Sequence, residues 1–201
     1  MVQVFINVKT TGLNYTRASI WNISGMITDG RREEYFDYSM RPYKKDIMPE
    51  ALRVSGVTEA QLMNFEDQNV VFTDFVNLLN RYISLGDYDS KAQLIGYNSN
   101  FEANFLREWF KFNNFDKFGY YFWFPYIDIM TFAGVVLMNK REQLPNFKLP
   151  TVYYFATGKV MKTRGGKAEI QCMRELYNAL ADMGANRIPD IKIPVRQVRS
   201  N

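Results

Sequence analysis

The sequence predicts an α/β domain in which helices cover a mixed sheet. Three observations support this class: three alternating strands at the start, a later strand that leads directly into a helix, and helical periodicity in the second half. With 201 residues, 47% of them hydrophobic, the chain can form one domain with a sizeable core. We therefore expect one folded domain over residues 1–184 and a separate tail over 185–201.

The first 40 residues predict a three-stranded antiparallel meander. Residues 2–9 alternate as a strand does, and a turn sequence follows at 10–14. Further strands are predicted at 20–27 and 34–40, with the hairpin sequence Thr28-Asp29-Gly30 between them.

From residue 46 the apolar spacing becomes helical. Thr58 and Gln61 form a capping-box pattern before the amphipathic segment 71–82, and a strand at 92–97 precedes a helix that opens at Ser99. Other helical patterns lie near 128–139, 147–156 and 168–182. A strand that feeds a helix after a meander favours a mixed sheet.

The composition excludes several kinds of chemistry. There is no His, so no imidazole can act as a general base or metal ligand, and Cys172 is the single Cys and is most simply buried. No apolar run is long enough for a membrane span, and the start lacks a secretory signal pattern. We expect a soluble, cytoplasmic protein without a membrane partner. The abundance of Asn, Lys, Tyr and Phe is typical of AT-rich genomes, including those of phages and mobile elements.

The basic charge is concentrated in the predicted tail. The net charge of the whole chain is +4, and residues 187–201 carry +3 of it. Pro189 and Pro194 discourage helix there. The tail is either a solvated terminus or an arm that binds a protein partner, and the rest of the chain lacks the charge of a general polyanion binder.

Five segments occur in the order found in a known family. They are FINVKTTGLN at 5–14, ALRVSGVT at 51–58, GYNSNFEANFL at 96–106, IDIM at 127–130 and FKLPTV at 147–152. Their order resembles the DnaQ-like (DEDD) 3′–5′ exonucleases, the family of the proofreading epsilon subunit of bacterial DNA polymerase III. The resemblance implies a ribonuclease H-like fold, with a mixed five-stranded sheet (an antiparallel meander plus parallel strands) flanked by helices.

The resemblance also implies a site. In the family, four carboxylates hold two divalent ions, and a His or Tyr handles the proton of the attacking water. The matching positions here are Asn7, Lys9, Glu102 and Glu169, with Arg164 at the general base. An alignment shifted by two residues places Gln171 instead of Glu169 at the fourth carboxylate and Gly166 instead of Arg164 at the general base.

Charge decides the interpretation of these positions. Asn7, Lys9, Glu102 and Glu169 sum to −1, and Arg164 brings the total to zero. An ammonium about 6 Å from a divalent ion costs on the order of 5 kcal/mol at an effective dielectric constant of about 20. We predict that two-metal catalysis is lost, that no cofactor is needed, and that Mg²⁺ or Mn²⁺ acts only if residual activity exists.

Plain structural roles compete with chemical ones for the charged residues. Glu102, Asp128 and Glu169 are metal candidates, but Glu102 also completes a capping box with Ser99, Asp128 fits a helix cap, and Glu169 fits a first-turn acid. Lys9 could act as an internal counter-ion to Glu102 and Glu169.

The resemblance assigns a nucleic-acid surface as well, because the turn after the first strand lies against the terminal nucleotide in the family. The residues concerned are Thr10, Thr11, Gly12, Leu13, Ser55, Asn98 and Phe101. Seven aromatic residues within 118–126 form either a base-stacking platform or core contacts.

We therefore expect a catalytically degenerate exonuclease-fold protein, a pseudo-exonuclease, that binds single-stranded nucleic-acid 3′ ends or a protein partner. One alternative is a slow or Mn²⁺-dependent 3′–5′ exonuclease acting on DNA or RNA, and another is an assembly protein that uses the fold as a scaffold. Asn7 and Lys9 could also be introduced changes that trap substrate, although the missing His leaves that explanation incomplete.

Overall fold

The computed structural model describes residues 1–162 and 165–185. The strands in this part are β1 (Val2–Thr10), β2 (Ile20–Thr28), β3 (Glu33–Ser39), β4 (Ala92–Gly96) and β5 (Ile127–Asp128). The α-helices are α1 (Pro49–Ser55), α2 (Glu59–Met63), α3 (Gln68–Asn80), α4 (Ser99–Phe112), α5 (Phe118–Tyr121), α6 (Ile129–Val136), α7 (Leu149–Thr157) and α8 (Gly166–Ala185). Short 3₁₀ turns lie at Tyr88–Ser90 and Met138–Gln143.

The strands form one sheet in the order β3-β2-β1-β4-β5. β3, β2 and β1 pair antiparallel, whereas β1, β4 and β5 pair parallel. The predicted mixed five-stranded sheet with an antiparallel meander is confirmed. The carboxyl ends of the three parallel strands therefore meet at one edge of the sheet, where α4 and α6 begin.

Alternation along β1 determines which residues face which helices. Val4, Ile6 and Val8 pack into the hydrophobic cluster that includes the buried faces of α3 and α4. Phe5 points to the opposite side, into the cluster built with α6, α7 and α8, and its ring lies 5.7 Å from that of Tyr177. Because strand side chains alternate, Asn7 shares the α8 side with Phe5.

The aromatic segment 118–126 is divided between core and surface. Phe118, Tyr121 and Phe122 are buried, whereas Tyr120 and Phe124 are exposed. The core interpretation is therefore correct for three of the seven aromatic residues. Its backbone is bonded near the start of β4, where the Trp123 N–H donates to the Ala92 carbonyl, so it lies at the sheet edge opposite the carboxyl ends.

Two expectations from the sequence concern membrane-spanning helices and the C-terminal tail. Among the described residues no helix is long and apolar enough to cross a membrane. Apart from Ala185, the predicted tail 185–201 lies outside the described residues, as does Arg164. The Thr58–Gln61 capping box, in contrast, is present at the start of α2 as predicted.

Candidate functional site

Asn7 and Lys9 lie near the carboxyl end of β1, where both are half-buried. They pair with Ser24 and Asn22 of β2. The Lys9 Nζ lies 5.4 Å from the centroid of the Trp21 ring. It also lies against Gly165, just before α8, because a Cβ on Gly165 would be 2.7 Å from Nζ. The ammonium thus occupies the space between the sheet edge and the start of α8.

Lys9 does not form the predicted ion pairs. None of the ion pairs among the described residues includes Lys9, and so neither Glu102 nor Glu169 is its direct counter-ion. The counter-ion hypothesis is wrong for a direct contact. Lys9 is thus a half-buried cation without a described carboxylate partner.

Glu102 lies in the first turn of α4 and is 4% exposed. Gly96, at the end of β4, leaves room for the carboxyl group, since a Cβ there would lie 3.2 Å from Glu102 Oε2. Within the described part of the chain, this oxygen has no hydrogen-bond partner. Burial raises the pKa of Glu102 well above its usual range, and the nearby charges of Asp128 and Glu169 raise it further. The environment thus favours the uncharged form.

The predicted capping box of α4 is wrong. The N-cap is Asn98, in a left-handed conformation at φ 79°, and Ser99 is already the first helical residue. No side-chain hydrogen bond caps this helix within the described structure. Glu102 therefore lacks the structural role that the Ser99 pattern suggested.

Asp128 caps a helix, which the sequence predicted as the alternative to metal binding. It is the N-cap of α6, and it accepts hydrogen bonds from the Met130 N–H at 3.0 Å and the Thr131 hydroxyl at 3.0 Å. It also accepts from the Asn98 N–H at 2.9 Å, which ties the turn after β4 to the turn after β5. The helix-cap prediction is confirmed.

Glu169 lies in the first turn of α8 and accepts a hydrogen bond from the Gly165 N–H. Glu102, Asp128 and Glu169 are close enough for their charges to interact. Nevertheless, residues 1–162 and 165–185 contain no group of three His, Cys, Asp or Glu side chains that could hold a metal ion. The two remaining family positions contribute a neutral amide, Asn7, and a cation, Lys9.

These residues do not fit a pair of divalent ions. Mg²⁺ and Mn²⁺ need ionised oxygen ligands. Here Asn7 and Lys9 supply an amide and an ammonium in place of two carboxylates, and the described residues form no cluster of three potential ligand side chains. An ammonium on β1 further opposes bound cations. The donor set thus disagrees with the family's two-metal chemistry.

Beside this polar site lies a mostly apolar groove of about 400 Å³ between the end of β1 and α1. Leu13 and Val54 stand exposed on its walls, at 78% and 73%. The lining residues are Val8, Lys9, Thr10, Gly12, Leu13, Met48, Glu50, Ala51, Val54, Ser55 and Phe101. Five of the seven residues predicted to contact nucleic acid are in this set.

The other two predicted contacts, Thr11 and Asn98, are outside the described groove lining. Thr11 is completely buried because its hydroxyl accepts from the Ser19 N–H at 2.9 Å and donates to the Asp46 carbonyl at 2.7 Å. Asn98 is instead held at the α4–α6 turn by Asp128. The structure thus separates these two residues from the other five, and their predicted contact with nucleic acid stays a prediction.

Sequence reasoning missed the apolar wall formed by Met48, Ala51 and Val54. A close approach at Gly12 brings this wall to the turn after β1, since a Cβ on Gly12 would lie 2.9 Å from Met48 Sδ. The Met48 N–H also donates to the Thr11 carbonyl. The glycine in the turn sequence was the available signal for this contact.

The chain is similar in structure to exonuclease I. The likeness to exonuclease I with bound product has a TM-score of 0.71 at 16% identity, covering 92% of this chain and 44% of that one. For E. coli exonuclease I in complex with a dA16 oligonucleotide, the TM-score is 0.70 and the identity 16%. That match covers 90% of this chain and 41% of the exonuclease I chain. A full-length 3′-exonuclease matches with a TM-score of 0.65 at 16% identity. That match covers 91% of this chain and 61% of the 3′-exonuclease chain.

No protein-family model matches the sequence, and no curated protein matches it. The structural likeness therefore establishes the fold alone, a ribonuclease H-like fold shared with exonuclease I, which is the fold that the five sequence segments predicted. This chain spans less than half the length of the exonuclease I chains it matches.

Proposed function

We propose that this protein binds the 3′ end of a single-stranded nucleic acid in the groove beside β1 and does not hydrolyse it by two-metal catalysis. One observation carries the proposal: an open apolar groove adjoins a strand end that presents Asn7 and Lys9 in place of two carboxylates. The groove supports binding, and the altered strand end opposes cleavage.

The groove has the chemistry that an unpaired nucleotide requires. Exposed Leu13 and Val54 and the ring of Phe101 offer apolar contacts to a base or sugar. E. coli exonuclease I has been solved in complex with dA16 and with dT13 oligonucleotides. Those complexes make single-stranded DNA the first ligand to test, with RNA beside it.

The test combines binding and cleavage. Labelled single-stranded DNA and RNA are titrated by fluorescence anisotropy over a range of salt, and the same oligonucleotides are incubated with the protein in Mg²⁺ or Mn²⁺. We expect saturable, salt-sensitive binding without shortening of the strand. Absence of binding to both polymers, or efficient stepwise shortening from the 3′ end, would contradict the proposal.

A second candidate is a slow, Mn²⁺-dependent 3′–5′ exonuclease. The observation in its favour is the electrostatic proximity of Glu102, Asp128 and Glu169. If this candidate is correct, long incubation with Mn²⁺ shortens the strand, and Glu102→Gln abolishes the shortening. Shortening that survives Glu102→Gln points to a contaminating nuclease.

A protein partner is a third candidate, supported by a solved ExoI/SSB-Ct complex among the structural neighbours. The basic composition of 187–201 makes that segment the first to delete. Loss of partner binding on deletion supports an arm, and unchanged partner binding removes that role.

A further inference from the structure

We infer that the ammonium of Lys9 binds the phosphate of the 3′-terminal nucleotide, so that the strand end is held without any divalent ion. The inference rests on the proposed function and deepens it by naming the ligand class, a terminal nucleotide together with its 5′ phosphate. It assigns to a lysine the charge that bound metals supply in the family chemistry.

Lys9 is available for such a contact. It has no ion-pair partner among the described residues, and its recorded neighbours are the Trp21 ring at 5.4 Å and the backbone of Gly165. The face of the Trp21 ring stabilises the ammonium but does not use its N–H donors, which can still donate to an anion. A half-buried ammonium without an anion therefore gains from binding one.

The carboxylates around Lys9 are committed elsewhere. Asp128 serves three donors at two helix starts, and Glu169 holds the Gly165 N–H. Asp37 accepts from the Asn22 side chain at 2.7 Å. Glu102 is buried in the first turn of α4, and Asn7 is neutral. Within the described part of the chain, none of these carboxylates forms an ion pair with Lys9.

Lys9 also borders the apolar groove. Lys9 and Thr10 line the same groove as Leu13 and Phe101. A base or sugar can pack on the apolar residues while the adjoining phosphate meets the ammonium. The ammonium lies close to the Gly165 backbone, since a Cβ there would be 2.7 Å from Nζ.

The ligand chemistry predicts how binding responds to salt and sequence. A lysine is a compact point charge that contacts one phosphate without reading the base. Removing it should lower the slope of log K against log salt by about one contact, about 0.7 for a single strand. The preference among bases should stay unchanged.

The experiment measures anisotropy of a 5′-labelled dT10 in EDTA for the full chain, for Lys9→Met and for Lys9→Arg. The matched control is Lys140→Met, an exposed lysine in the 3₁₀ turn after α6. We expect EDTA to leave the affinity of the unmodified chain unchanged, Lys9→Met to weaken it about tenfold, Lys9→Arg to retain most of it, and Lys140→Met to match the unmodified chain.

A second measurement needs no variant. In EDTA, dTMP and thymidine are titrated by NMR against the unmodified chain, and we expect dTMP to bind more tightly. Equal binding of dTMP and thymidine, a requirement for Mg²⁺, or full affinity in folded Lys9→Met would each overturn the inference while leaving end binding intact. If neither dT10 nor the matching RNA, rU10, binds, the proposed function falls together with the inference.

Discussion

The groove beside β1 and the polar site at the end of the same strand lie side by side. The groove is characterised by its open, apolar shape and the polar site by its charges. The groove has apolar walls, an open volume of about 400 Å³ and the turn glycine that lets α1 approach. The polar site, composed of Asn7, Lys9, Glu102, Asp128 and Glu169, has the right positions on the fold but the wrong charges for paired metals. Shape and charge are therefore separable in this fold.

That separation is the basis of the proposed function. The proposal assigns the binding of a strand end to the apolar groove and the contact with its phosphate to Lys9. Two-metal hydrolysis requires several ionised carboxylates in one place, and replacing two of them removes it. Four changes test this difference, from the largest expected effect to the smallest.

The largest effect is expected from restoring both carboxylates on β1. Asn7→Asp with Lys9→Glu changes the charge of the polar site by −3 and should create measurable Mn²⁺ binding by calorimetry where the unmodified chain shows none. The same pair should weaken oligonucleotide binding in EDTA about tenfold or more, because an ammonium is replaced by a carboxylate. The control Asn7→Gln with Lys9→Met should gain no Mn²⁺ binding; gain in both variants would break the charge explanation.

The next effect concerns Glu102, whose pKa in the folded protein is raised by burial above its ordinary value of 4.5. The uncharged Glu102 therefore contributes fully to the free energy of unfolding below pH 4.5. This contribution is lost as the pH rises toward the pKa of the folded protein, because the carboxyl group then ionises in the unfolded chain but not in the folded one. Glu102→Gln should therefore gain stability relative to the unmodified chain by roughly 1.4 kcal/mol per pH unit across that interval.

Urea unfolding between pH 4.5 and 8 measures this gain, and the exposed Glu142→Gln is the control. A stability difference that does not vary with pH would show that Glu102 is not a buried, uncharged carboxyl group.

A smaller effect is expected at Asp128. Asp128→Ala removes the cap of α6 and the acceptor of the Asn98 N–H, and should lower the free energy of unfolding by about 1–2 kcal/mol. Asp128→Asn keeps an acceptor oxygen and should recover most of the loss. The urea midpoint distinguishes the two variants, and equal losses would point to the charge rather than to the cap.

The smallest effect is expected on the groove wall. Leu13→Ala and Val54→Ala remove exposed apolar surface, so each should weaken oligonucleotide binding a few-fold while changing stability by less than about 0.5 kcal/mol. Met138→Ala, equally exposed but outside the groove lining, is the matched control. Unchanged affinity in both groove variants would move the binding surface elsewhere.

Local sequence patterns predicted most of the fold. Alternation in 2–9 placed residues 7 and 9 on one face, and the strand-to-helix step at 96–102 placed Glu102 at the sheet edge where β1 ends. The capping chemistry of Thr58 and Asp128 was also visible, because it depends on residues two to three positions apart.

The features that the sequence did not predict depend on contacts between segments that are distant in the chain. Thr11 was predicted to contact nucleic acid, but its hydroxyl is bonded to the Ser19 N–H and the Asp46 carbonyl. Ser99 was expected to cap α4, yet the helix begins one residue earlier in the turn that Asp128 holds. The position of Lys9 against Gly165 joins residues that no local pattern connects. Tertiary packing thus decided which polar groups remained free.

The central claim is that this site cannot hold paired divalent ions, and crystals of the unmodified protein soaked in Mn²⁺ test it most directly. Anomalous scattering would locate any ordered ion near residues 7, 9, 102 and 169. The account predicts no ordered pair and an ammonium at position 9 in its place. Two well-ordered ions coordinated there would contradict it.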